Sequence, residues 1–173
     1  MTDAVGADGD RLPPLAAEQM TDEQRAAAAE IISGPRGELV GPFVPLLRSP
    51  HLMRRLQQTG EQLRFHTVLA APLLEMCILL VAREWDQRFE WRYHCPLALR
   101  AGIAPEVIRA INERRHPDGL AADAEAVWRV CEELHRTRRV TGRRSPMPCE
   151  SSARWAWSNS YRPPVITRRS RWS

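Results

Sequence analysis

Residues 72–81 read Pro72-Leu-Leu-Glu-Met-Cys-Ile-Leu-Leu-Val81, PLLEMCILLV, and this run decides the fold class. Proline at a first helical position is tolerated, because its missing N–H is one that a helix start leaves unbonded anyway. The apolar residues that follow (Leu73, Leu74, Met76, Cys77, Ile78, Leu79, Leu80, Val81) point almost all round a helix, which predicts a central helix packed on several sides. Glu75 interrupts them. An ionised carboxylate among Leu, Met and Ile must be paired or protonated, although a narrow polar edge on the helix explains it as well at this level.

Downstream, Gln87-Arg-Phe-Glu-Trp-Arg-Tyr-His94 lies in a predicted helix from about Asp86 to Arg100, with Pro96 as a kink and Gly102 as a stop. Residues seven apart on a helix fall within about 20° of each other, so Gln87, Glu90, Trp91 and His94 are expected on one stripe. Glu90 and His94, four apart, can touch, and an adjacent carboxylate favours the charged imidazole. Such an imidazolium can protonate a bound carbanion or enolate. Taken alone, the pair equally describes a solvated ion pair. Two further helices are predicted, one from Ala104-Pro105 and one over Leu120–Thr137, with Val127, Val130, Cys131 and Leu134 inward.

Upstream, Thr21-Asp-Glu-Gln24 is a capping box opening a helix to about Ser33. Gly34-Pro-Arg-Gly37 ends it, and Val40 to Pro45 reads as an irregular loop. Ser49-Pro50 starts a helix to about Arg64, with Leu52, Leu56 and Leu63 expected on its buried stripe. No alternating strand of useful length occurs, so the class is all-α.

Composition narrows function. The chain of 173 residues has a net charge of +4 and no apolar run long enough for a membrane span. All 25 basic residues are Arg, and the basicity sits in the last 31 residues, where seven Arg face one acid, Glu150. The rest is slightly acidic, which argues against a nucleic-acid-binding domain. Cys77, Cys95, Cys131 and Cys149 show neither a CxxC pair nor finger spacing, which fits reduced thiols and a cytoplasmic location. No second histidine joins Glu90 and His94 at helical spacing, so no metal site is expected.

In order along the chain, Arg11-Leu-Pro-Pro14, Gly41-Pro-Phe43, Leu73-Leu-Glu-Met76, Val81-Ala-Arg-Glu-Trp85, Phe89-Glu-Trp91, His94-Cys-Pro-Leu-Ala98, Ala101-Gly-Ile-Ala-Pro-Glu-Val-Ile108 and Glu133-Leu-His-Arg-Thr-Arg-Arg-Val140 resemble the carboxymuconolactone decarboxylase family, which includes the AhpD-like alkylhydroperoxidases. The resemblance covers residues 11–141. It implies a helical subunit that assembles as a homo-oligomer, a trimer or hexamer.

The peroxidase branch of the family carries CxxCxxxH with a relay glutamate on the preceding helix. His94 matches the histidine and Glu75 the relay acid, but Gln87 and Glu90 occupy the cysteine positions. Peroxide reduction needs a thiolate and a resolving thiol, so thiol peroxidase activity is disfavoured. The resemblance then implies a cofactor-free decarboxylase or lyase acting on a small organic acid or lactone. His94, Glu75 and Glu90 would be the catalytic set, and Gln87, Arg88 and Trp91 would bind the substrate, with Arg83 a further candidate for its anionic group. A non-catalytic oligomeric member of the family is the remaining alternative.

Residues 1–10 read as a disordered leader, and residues 142–173 as an irregular basic tail without helical periodicity. Re-reading the tail in a shifted frame recovers a pattern like the family's last apolar helix. This predicts a frameshifted terminus and, with that helix missing, an inactive or poorly assembling subunit.

Overall fold

Thr21 caps the first α-helix. Its hydroxyl accepts from the Gln24 N–H at 3.2 Å, and the Gln24 side chain accepts from the Thr21 N–H at 2.9 Å. This reciprocal cap satisfies donors that the first helical turn leaves open. The computed structural model describes residues 12–141. A 3-10 turn (Ala17–Gln19) precedes α1 (Asp22–Ser33), α2 (Phe43–Leu46), α3 (Pro50–Phe65), α4 (Ala71–Glu84), α5 (Arg88–Arg100), α6 (Pro105–Asn112) and α7 (Ala122–Thr137). The described residues contain no strand, and the class is all-α. The leader and the tail, with its frameshift reading, lie outside the described residues.

The sequence reads residues 11–141 as one domain, whereas contacts divide the chain between Asp118 and Gly119 into two compact units. In the first unit, Ala27, Ala28 and Ile31 of α1 form a buried cluster with Leu47 and with Met53 of α3, and Phe43 and Leu46 of α2 pack against it. A second buried group comprises Met76, Leu79 and Ala82 on α4, Ala98 on α5, and Ala110 and Ile111 on α6, with α4 packing on both α5 and α6. Each Leu- or Ile-sized side chain buried here contributes about 1.5–3 kcal/mol.

Several sequence expectations are corrected. Leu52, Leu56 and Leu63 are 48, 46 and 64% exposed, while Met53 and Gln57 form the inward edge of α3. The helix turns this way because Gln57 has polar partners inside: its amide accepts from Arg36 Nε at 3.3 Å and donates to Glu61 at 2.8 Å. Val40 to Pro45 is not wholly irregular, since Phe43–Leu46 makes a helical turn. In the second unit Ala126 and Trp128 are the buried residues of α7, whereas Val130 and Leu134 are exposed.

α5 starts at Arg88 rather than at Asp86. Asp86 takes φ +49 and Gln87 is extended, a left-handed break that Asp tolerates better than most residues. Pro96 lies inside α5, and Gly102, at φ +94, ends the turn beyond it. That conformation favours glycine.

Candidate active site

α4 and α5 bring a carboxylate and an imidazole together in the interior. His94 Nδ1 and Glu75 Oε2 are 2.7 Å apart, with both side chains less than a tenth exposed. A buried acid of this kind must find a partner, and His94 is that partner. On the other side of the ring, His94 Nε2 lies 3.5 Å from Glu90 Oε2, one helical turn back on α5, and Glu90 is partly open to solvent. Burial disfavours the imidazolium. The hydrogen bonds to Glu75 and Glu90 and the charge of Glu75 outweigh that penalty, against a smaller opposing push from Arg64. The His94 pKa is therefore raised above its ordinary value.

The imidazole borders a cavity of about 460 Å³, within the usual range for small-molecule sites. Leu63 of α3 and Leu74 and Ile78 of α4 supply apolar wall, and Phe89, Glu90 and Tyr93 line it from α5. The Tyr93 ring stacks on Phe89 at 5.7 Å and meets His94 edge-on at 5.3 Å. Its hydroxyl donates to Glu38 at 3.1 Å, tying the loop after α1 to α5. That loop needs glycine at Gly41, which has φ +58 and lies so close to Phe89 that a Cβ would meet the ring at 2.3 Å.

The sequence-predicted residues divide into two groups. Glu75, Glu90 and His94 meet at the cavity. Gln87, Arg88 and Trp91 do not: they line a separate space of about 470 Å³ with Arg83, Asp86 and Arg92. The expected single stripe fails for two reasons. Gln87 is the extended residue before α5, so helical spacing does not apply to it. Trp91 is about 60° further round than His94, and Arg88 about 60° beyond Trp91, at about 100° per residue. Arg83 is also elsewhere, pairing with Asp86 and donating to the Asn112 carbonyl at 2.6 Å.

Two arginines outside the predicted set do line the cavity, Arg36 from the loop after α1 and Arg64 from the last turn of α3. The signal for Arg36 was present in Gly34-Pro-Arg-Gly37, a turn that fixes its backbone, but nothing local tells where its side chain reaches. Burial, then the neighbouring Arg64 charge, lowers the Arg36 pKa. Burial pushes the Cys95 thiol up, away from thiolate.

No family model, curated protein or solved structure matches this chain.

Proposed function

We propose that this chain is a lyase of the carboxymuconolactone decarboxylase kind, releasing carbon dioxide from a small organic acid or lactone by proton-donor catalysis at His94. The observation that carries this reading is the buried Glu75–His94 pair at the edge of a mostly apolar cavity. Loss of carbon dioxide breaks a carbon–carbon bond and leaves its electron pair on the substrate as a carbanion or dienolate. A proton must then reach that carbon. The His94 imidazolium supplies it from Nε2, forming the new C–H bond, while Glu75 holds Nδ1 and fixes the ring's orientation. Glu90, partly open to solvent and close to Nε2, relays a proton from water to Nε2, which restores the imidazolium. Apolar wall beside the reacting group favours the step, because a leaving carboxylate loses hydration there and carbon dioxide needs none.

A homo-oligomeric assembly belongs to the same reading. The exposed Leu52, Leu56 and Leu63 on α3 support it, since apolar side chains on one face are the kind that subunits cover.

The test is carbon dioxide release from a panel of lactone acids and small carboxylic acids, comparing wild type with His94→Ala. Release by wild type, reduced about a hundredfold or more in the variant, is expected, with no effect of thiol alkylation. Equal rates in the two proteins would end the assignment of His94. Hydroperoxide turnover abolished by alkylation would replace the lyase with a thiol peroxidase.

A further inference from the structure

Arg36 and Arg64 both line the His94 cavity, and the charges of Arg64, Glu61 and Glu90 all act on Arg36. The Arg36 guanidinium carbon lies 4.7 Å from the centre of the Phe43 ring and 5.9 Å from that of Phe65. The Arg64 carbon lies 5.2 Å from the same Phe65 ring and 5.3 Å from that of Tyr93. Ring faces are weak partners for a cation, about 0.5–1 kcal/mol each where water is near. The polar bond of Arg36 goes to the neutral amide of Gln57 at 3.3 Å. Arg64 repels the Arg36 charge while Glu61 and Glu90 oppose that push, and an anion bound at both guanidinium groups lowers the cost of the repulsion further.

Gly60 lies against the end of the Arg36 side chain. A Cβ at Gly60 would stand 2.6 Å from an Arg36 terminal nitrogen, so the guanidinium lies against the backbone of α3. Glycine inside a helix is less stable than alanine by about 1 kcal/mol. The helix therefore carries a locally poor residue at the point where this guanidinium needs room, and departures from local preference of this kind gather at functional positions.

We propose that Arg36 and Arg64 form the anion-holding end of the His94 cavity, and that its ligand is a carboxylate borne on a small ring or hydrocarbon body. The planar fork of arginine matches the two oxygens of a carboxylate. The body lies along Leu63, Leu74 and Ile78, which line the same cavity. The inference rests on the proton-donor reading for one point only, that the other end of the ligand faces His94. A clamp that stabilises a bound carboxylate slows that group's own departure. The carboxylate held here thus stays on the ligand while reaction occurs at the far end.

Calorimetric titration of the full chain with benzoate, using benzyl alcohol as the uncharged probe of similar shape, tests the subsite. Wild type binds benzoate more tightly than benzyl alcohol. Arg36→Gln and Arg64→Gln each weaken benzoate about tenfold or more and leave benzyl alcohol unchanged. Gly60→Ala weakens benzoate while melting no lower than wild type, which separates loss of the site from loss of the fold. His94→Ala still binds benzoate. No preference for benzoate in wild type, or full benzoate binding by both arginine variants, overturns the subsite. Benzoate binding that needs both arginines, with no carbon dioxide released from any acid, sustains the subsite and removes the lyase.

Discussion

On one face of α5, Glu90 and His94 meet the buried Glu75 beside a wall of Leu63, Leu74 and Ile78. On the other, Arg88, Trp91 and Arg92 border a space in which Arg83 pairs with Asp86, and Arg114 adds contacts to Asp86 and Glu84. Both faces hold charge, and both spaces are of similar volume. They differ in what each charge has to rely on. Asp86 is mostly exposed and Arg83 and Arg114 are partly so, so water can replace any one partner. Among the described residues, the polar partners of Glu75 and His94 are each other and, for His94, Glu90. The presence of acids and bases does not by itself mark a site. What marks it is a titratable pair whose members cannot be exchanged for solvent.

The largest effect expected from breaking this contrast is that of Glu75→Ala. Removing the acid leaves the His94 ring buried without its Nδ1 partner, which costs about 1–3 kcal/mol. The loss stays within that range because the imidazole can shed its proton instead of remaining charged in the interior. Arg83→Ala, on the opposite face, costs no more than about 1 kcal/mol. Urea denaturation of both variants measures the difference, and equal losses would show the two faces to be energetically alike.

The pattern of what the sequence revealed has the same origin. The helices were legible because caps, prolines and apolar runs act over a few residues: Thr21 with Gln24, Pro50, Pro72 and Pro105 each mark a helix start. Glu75 was legible as an anomaly because its neighbours in sequence are apolar whichever way the helix turns. Arg36 and Arg64 were not legible as site residues, since they are far apart in sequence and only the tertiary fold aims both at the Phe65 ring. The wrong stripe on α3 had a related cause. Three leucines outweighed Gln57 in the apolar pattern, yet Gln57 is buried because Arg36 and Glu61 satisfy it. Spacing on α5 also misled, because the helix begins one residue after Gln87 and Asp86 breaks the chain before it.

A smaller effect is expected from Gly41→Ala. The position combines left-handed backbone with a close approach of Phe89, so a methyl group costs about 1–2 kcal/mol through the backbone, with ring displacement added. Gly102 is also left-handed but has nothing within 4 Å of a built Cβ, so Gly102→Ala incurs the backbone cost alone. Thermal melts of both variants check this. A larger loss at Gly102 would mean that Phe89 moves aside freely and does not hold the cavity wall in position.

The finest test of the comparison is pH, because only the His94 face should change its contribution as pH rises. The His94 pKa is raised in the folded chain above its ordinary 6.5. The stability it contributes is therefore fully present below that ordinary value, and it is lost as pH rises through the higher folded value. Wild type should exceed Glu75→Gln in stability most near about pH 6 and least near about pH 9. Glutamine still accepts from the ring N–H but carries no charge, so the pH-dependent part of the difference reports the electrostatic pull on the imidazolium and not the hydrogen bond itself. Arg88→Gln on the far face supplies the contrast, and its difference from wild type should be flat. A Glu75→Gln difference that is equally flat, or that grows with pH, would mean His94 is held neutral, and a neutral imidazole could not be the proton donor on which the lyase reading depends.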